Sequence, residues 1–214
     1  MALQIDVLEL GPLQTNCYVL REQDICWLVD VGFDPGSLLS LLRKHALRPQ
    51  RILLTHGHGD HLAGVAEVKA LYPEARVCCP AAEAAMLTDP QANLSAVLGL
   101  AVTCPPADEL LQDGDELLMG KLAWLALETS GHTPGGMSFY CPHAGVVLTG
   151  DALFAGSIGR TDFPGADLGR LVKNIRLKLL SLPDSTVVLP GHGPRTIIQQ
   201  ERQGNPYLAI GRRG

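Results

Sequence analysis

The chain is poor in the features that mark several large protein classes. Aromatic residues make up only 5% of its 214 residues and charged residues 18%, with 17 basic side chains against 22 acidic ones and a net charge of −5. Surfaces that bind nucleic acid rely on basic stripes, often interleaved with aromatics, so broad attraction to a polyphosphate is not expected. The Arg212-Arg213 pair is too short to change that. No apolar run approaches the roughly 20 residues that cross a bilayer. The start, Met1-Ala2-Leu3-Gln4-Ile5-Asp6-Val7, lacks the basic region, apolar stretch and small-residue cleavage site of a secretory signal. These absences point to a cytoplasmic protein with neither membrane nor nucleic-acid partners. The six cysteines, Cys17, Cys26, Cys78, Cys79, Cys104 and Cys141, have no regular spacing, which suits a reducing compartment better than a disulfide framework. They show no Cys-His motif of a thiol enzyme, and the Cys78-Cys79 pair reads as strand packing. A Gly-x-Ser-x-Gly elbow is missing too, so a protein-borne acyl nucleophile is not indicated.

What is present is a large apolar fraction, 46%, enough for a full core in one domain over residues 1–214, although two halves within it are possible. Apolar alternation predicts strands near 2 to 10, 17 to 21 and 25 to 31, with a Gly11-Pro12 turn after the first. Pro35-Gly36 opens an amphipathic helix carrying Leu38, Leu41, Leu42 and Leu47. Arg51-Ile52-Leu53-Leu54 is the next strand. A helix is expected just after Asp60, capped by it and burying Leu62, Val65, Val68, Ala70 and Leu71. Residues 80–108 are less readable: Ala-rich helical character precedes Thr88-Asp89-Pro90, a loop runs through Thr103-Cys104-Pro105-Pro106, and the segment is a candidate cover for the histidine-rich turn at 55–61. Four strands come after it, over 116–119, 122–128, 137–141 and 146–149. A core-facing helix then starts at Asp167 with Leu168, Leu171, Val172, Ile175, Leu179 and Leu182, before a last strand at 186–189.

The densest chemistry lies in Thr55-His56-Gly57-His58-Gly59-Asp60-His61, directly after an apolar strand. Three imidazoles and a carboxylate in six positions are ligand types that Zn2+, Fe2+ and Mn2+ accept. Further candidates stand after three later strands: His132 in Ser130-Gly131-His132-Thr133, Asp151 in Leu148-Thr149-Gly150-Asp151, and His192 in Leu189-Pro190-Gly191-His192-Gly193. Each stands where a strand yields to a glycine-bearing turn, which sets side chains on one rim of a sheet. Independent core histidines have no reason to recur at strand ends. A cation held by such ligands would lower the pKa of its bound water toward neutrality and polarise a carbonyl, so the nucleophile would be solvent. His45, near a helix end, and His143, in a Pro-His-Ala-Gly turn, read as surface residues.

The His-x-His-x-Asp-His run followed by His132, Asp151 and His192 resembles the metallo-β-lactamase superfamily over nearly the whole chain. The resemblance implies an α/β fold, the αββα sandwich, and agrees with the likeness between Leu53-Leu54-Thr55-His56-Gly57-His58-Gly59 and Val188-Leu189-Pro190-Gly191-His192-Gly193, each an apolar strand joined to a Gly-His-Gly turn, which suggests two related β-rich halves. It implies that His56, His58 and His132 hold one metal, Asp60, His61 and His192 another, and Asp151 bridges them. Asp60 and Asp151 would be the catalytic carboxylates, and Zn2+, one or two ions per chain, the cofactor, with Fe2+ or Mn2+ as alternatives. Zinc lactamases carry Cys or another residue where this chain has Asp151, so the dinuclear hydrolase branch matches better.

The stretch Asp151-Ala152-Leu153-Phe154-Ala155-Gly156-Ser157-Ile158-Gly159-Arg160-Thr161-Asp162-Phe163 resembles the substrate loop of glyoxalase II-type hydrolases. With Pro12-Leu13-Gln14-Thr15-Asn16-Cys17 and Asn205-Pro206-Tyr207, it is similar to the short single-domain relatives of hydroxyacylglutathione hydrolase. The implied reaction is hydrolysis of a glutathione-derived thioester such as S-lactoylglutathione, with Arg160 on a glutathione carboxylate. The plainer reading of Arg160 is a salt bridge to Asp162. The helical carboxy-terminal domain of full-length glyoxalase II is not expected here. Gly159-Arg160-Thr161-Asp162-Phe163 also resembles the persulfide dioxygenases, which implies a single iron on His56, His132 and Asp151. A non-catalytic metal-binding scaffold is the third reading. The sequence leaves the oligomeric state open.

Overall fold

A computed structural model describes residues 3–208; Arg212-Arg213 lies outside them. The chain separates after Leu111 into two compact units. The first contains β1 (Gln4–Leu10), β2 (Thr15–Glu22), β3 (Ile25–Val29), β4 (Pro49–Leu53), β5 (Arg76–Pro80) and β6 (Glu109–Leu111), hydrogen-bonded in that order as one six-stranded sheet. Short turns join β1, β2 and β3 antiparallel, whereas β3, β4, β5 and β6 are parallel neighbours. Parallel pairing demands a crossover between strands and brings successive strand ends to the same edge.

The first crossover is α1 (Gly36–Lys44), which buries Leu38, Leu39 and Leu42. It ends earlier than the leucine pattern suggests. Ala46 takes φ +51°, Ala46 N–H bonds to Arg43 O and Leu47 N–H to Leu42 O, a Schellman closure. Leu47 therefore belongs to the stop signal: it lies beyond the helix and packs on the core that contains Leu42. The helix expected after Asp60 is split into α2 (Gly59–Leu62) and α3 (Val65–Leu71) at Gly64, where a Cβ would stand 2.6 Å from Gly32 O. His58 occupies the N-cap without a side-chain bond and Asp60 falls in the first turn, so Asp60 does not cap. Leu62, Val65 and Val68 are buried as the pattern requires, but Ala70 and Leu71 face solvent because α3 terminates there. Between β5 and β6 run two 3-10 turns, Ala81–Leu87 and Ser95–Leu98.

The second unit contains β7 (Glu116–Met119), β8 (Leu122–Glu128), β9 (Met137–Cys141) and β10 (Val146–Gly150), the four strands expected there. The hairpin of β11 (Leu153–Phe154) with β12 (Ser157–Ile158) comes next. After it come α4 (Leu168–Asn174), a π-helical turn Ile175–Leu179, β13 (Val187–Pro190), β14 (Thr196–Ile197) and α5 (Ile198–Gly204). The main sheet runs β14-β13-β10-β9-β8-β7. Asp167 caps α4, its carboxylate accepting Arg170 N–H at 2.9 Å. Leu171, Ile175 and Leu179 enter a core with Val147, Val188 and Ile198, while Leu168, directly after the cap, is exposed and Leu182 lies past the helix. β8 and β10 are each antiparallel to β9, and β13 is parallel to β10. Three strands thus point the same way, and the turns after them gather at one edge of the sheet.

Candidate metal centre

In the first unit that edge carries a connected polar group. Asp30, directly after β3, is 1% exposed, and its carboxylate accepts three hydrogen bonds: Thr55 N–H at 2.8 Å, Thr55 Oγ1 at 2.8 Å and His61 Nδ1 at 2.9 Å. Thr55 Oγ1 also lies 3.0 Å from His56 Nδ1. A hydroxyl has one proton, and here the carboxylate takes it, so His56 Nδ1 must be the donor in that contact. One carboxylate therefore fixes two tautomers: His56 and His61 both carry their proton on Nδ1 and present Nε2 for ligation, the arrangement by which outer partners orient metal-binding imidazoles. His56 Nε2 and His58 Nδ1 converge to 3.1 Å, and His61 Nε2 lies 3.6 Å from Asp60 Oδ2, an oxygen that Thr15 Oγ1 reaches at 3.3 Å.

In the second unit the three expected residues also converge. Asp151 follows β10 and His192 follows β13, held together by Gly191 N–H on Gly150 O at 2.8 Å. His132 follows β8, past Gly131, whose φ is +133° and where a Cβ would stand 2.3 Å from Leu171 N, so the position suits glycine alone. Asp151 Oδ2 stands 3.6 Å from His132 Nε2 and 3.7 Å from His192 Nε2. His132 Nδ1 donates to Arg160 O at 2.7 Å, again leaving Nε2 as the nitrogen that could hold a metal.

Each set fits a divalent cation by its donor chemistry. Neutral imidazoles with locked Nδ1–H groups and carboxylate oxygens, several of them buried, gather within a few ångströms, where like-facing lone pairs are favourable only around a positive charge. The alternative nucleophiles are unsuited. Burial pushes the Cys26 and Cys104 thiols up to about 12 and that of Cys78 to about 11, so none ionises near neutrality. All six cysteines are buried and unbridged.

Arg160 does two things. Its carbonyl orients His132, while its exposed guanidinium forms a paired bond to Asp162, at 3.0 and 2.7 Å, and lies 4.5 Å from the Phe163 ring. The plain Asp162 reading thus describes the side chain as it stands. Sequence reasoning missed Asp30, Glu83 and Glu201. Asp30 had a signal, an acid ending the apolar run Trp27-Leu28-Val29 next to the strand that carries the histidines. Glu83 accepts Gly57 N–H at 2.9 Å and Glu201 accepts Gly156 N–H at 2.9 Å, both buried carboxylates that only tertiary contacts reveal.

Residues 10–192 match the model of the metallo-beta-lactamase superfamily, a span that includes every candidate ligand. The chain belongs to this superfamily. A probable metallo-hydrolase, YqgX of Bacillus subtilis, is 40% identical over 200 residues, 93% of this chain and 94% of that protein. Hydroxyacylglutathione hydrolase GloC of Haemophilus influenzae is 31% identical over 213 residues, 96% and 98% of the two chains. Among solved structures, BLEG-1 B3 metallo-beta-lactamase superposes with a TM-score of 0.92 at 40% identity, covering 96% of this chain and all of that one. A di-iron form of TTHA1623 gives 0.85 at 38% identity over 95% of this chain and 100% of its own. ETHE1 from Myxococcus xanthus gives 0.78 at 25% identity, over 96% of this chain and 84% of its own. The two mixed sheets with their helices are thus the metallo-β-lactamase fold, and the protein is a member of a metal-dependent hydrolase family. Among the described residues no helix is long and apolar enough to cross a membrane.

Proposed function

We propose that the two ligand sets are halves of one dinuclear centre that hydrolyses glutathione thioesters, with S-lactoylglutathione as the representative substrate. In this reading the two units act as one domain. His56, His58 and His132 hold one cation, Asp60, His61 and His192 the other, and Asp151 serves both. The observation that carries it is the approach of two ring nitrogens to the single oxygen Oδ2 of Asp151, together with the Asp30 and Arg160 carbonyl contacts that turn three imidazoles the right way. The cations, when bound, supply an activated water at neutral pH and polarise the thioester carbonyl. Zn2+ suits the donor set, and Fe2+ or Mn2+ would fit as well.

The chain's own residues supply orientation and a buried, pre-arranged setting. Asp30 and Thr55 hold protons on the outer nitrogens of His56 and His61, so neither ring can turn its N–H toward the cations. Arg160, 69% exposed and paired with exposed Asp162, can exchange that carboxylate for one of glutathione at little cost, since water and salt screen an exposed ion pair. The substrate class rests on the similarity to GloC over nearly all of both chains.

A second reading, an iron-dependent dioxygenase of glutathione persulfide using His56, His132 and Asp151, draws support from the similarity to ETHE1. The deciding assay offers three substrates to one metal-analysed preparation. Thiol release from S-lactoylglutathione that vanishes with chelator and returns with Zn2+, Fe2+ or Mn2+ supports the thioesterase. Oxygen uptake with glutathione persulfide and no thioester turnover would replace it with the dioxygenase. Ring opening of a β-lactam without either would point to the activity named in BLEG-1.

A further inference from the structure

The segment between β5 and β6 backs the histidine loop. Gly57 N–H donates to Glu83 Oε2 at 2.9 Å and Gly59 N–H to Asn93 O at 2.8 Å. The same two residues lie flush on that segment: a Cβ on Gly57 would stand 2.6 Å from Met86 Cβ, and one on Gly59 2.9 Å from Ser95 Cβ. The intervening His58 is extended, at φ −67° and ψ 146°. Successive side chains of an extended chain project to opposite sides. With the glycine positions pressed against Met86 and Ser95, His56 and His58 are turned away from the segment, and their ligating nitrogens meet 3.1 Å apart.

We infer that Glu83 is a positioning residue for the metal held by His56 and His58: its carboxylate clamps the Gly57 peptide and thereby sets the convergence of the two rings. Glu83 is fully buried, on the turn Ala81–Leu87, so its oxygen is delivered by a packed element. Met86, on the same turn, fills the space behind Gly57. Asn93 completes the seat through its side chain, which donates to Met86 O at 3.0 Å and Val102 O at 2.9 Å and accepts Ser95 N–H at 3.0 Å. The role is geometric: Glu83 acts through the backbone between two ligands. This inference rests on the dinuclear reading of the site.

Two variants separate reach from charge. Glu83→Gln keeps an acceptor at the same distance and loses the charge; Glu83→Asp keeps the charge on a side chain one methylene too short for Gly57. Metal content and affinity are measured by competition with a chromophoric chelator on purified full-length protein, with thermal melting as the control for folding. Glu83→Asp should weaken one of the two bound equivalents roughly ten- to hundredfold, the range for outer-sphere partners of metal ligands, and leave the other unchanged. Glu83→Gln should stay within about threefold of the wild type, the limit of its expected effect on the same scale. Wild-type affinity in both variants, or loss in Glu83→Gln with retention in Glu83→Asp, overturns the inference. A wild-type protein that takes up no metal would instead remove the dinuclear reading itself.

Discussion

Replacing Asp30 by asparagine is the sharpest perturbation of the site, because it changes hydrogen-bond polarity with almost no change of shape. Asp30 has φ +51°, a conformation asparagine tolerates well, so backbone strain does not confound the result. The carboxylate accepts three bonds, from Thr55 N–H and Oγ1 and from His61 Nδ1. An amide offers one oxygen. If it faces Thr55 N–H, the NH2 group meets His61 Nδ1 and forces the proton of that ring onto Nε2, the nitrogen needed for ligation. If the amide flips, NH2 faces Thr55 N–H and a buried donor is left unsatisfied. Either conflict costs about 1–3 kcal/mol, which corresponds to roughly ten- to hundredfold in metal affinity. Competition titration of the purified variant should show metal binding weakened by about that factor, with the equivalent held by His61 affected directly and that held by His56 through Thr55, and thermal melting still cooperative. Two equivalents bound with wild-type affinity would refute the tautomer argument.

Four other outcomes are expected. Gly159→Ala places a Cβ 1.9 Å from Asp151 O and 3.1 Å from His132 Cβ, so chemical denaturation should report a loss of about 2–4 kcal/mol, with metal content falling in parallel. If Asp151 serves both cations as proposed, Asp151→Ala should reduce turnover further than His192→Ala; equal losses in steady-state rates would contradict the bridge. Arg160→Ala should raise KM for S-lactoylglutathione more than it lowers kcat, and an unchanged KM would take Arg160 out of substrate binding. Asp108 is held below the usual carboxylate value of 3.8 by Val77 N–H and by Lys69. A depressed folded pKa means its stabilisation is complete above the unfolded value and is lost as pH falls through the folded one. The gap in Tm between wild type and Asp108→Asn should therefore be present at neutral pH and close at pH values below 3.8.

The candidate ligands were legible as a group because their sequence context is local. Strand, glycine and histidine or aspartate stand next to one another in sequence, and β4, β8, β10 and β13 each end at the residue before such a turn or within a few of it. Strand alternation likewise located β7, β8, β9 and β10 to within a residue, since each is bounded by polar turns. The helices were harder. Leucine spacing carried α1 through Leu47 because apolar residues of a Schellman closure look like one more helical turn. The break at Gly64 depends on the close approach of Gly32 O, a contact with a distant segment. Glu83 and Glu201 are invisible in sequence for the same reason: an acid in an amphipathic stretch reads as solvated until a peptide N–H is packed against it. The short strands β11, β12 and β14, two residues each, carry no period to detect.

The proposed dinuclear centre requires ligands from both units around one pair of cations. Anomalous diffraction from crystals of metal-replete protein tests it most directly. The account predicts two peaks within about 4 Å of each other, one bounded by His56, His58 and His132, the other by Asp60, His61 and His192, with Asp151 touching both. Peaks far apart, each coordinated by residues of a single unit, would contradict it.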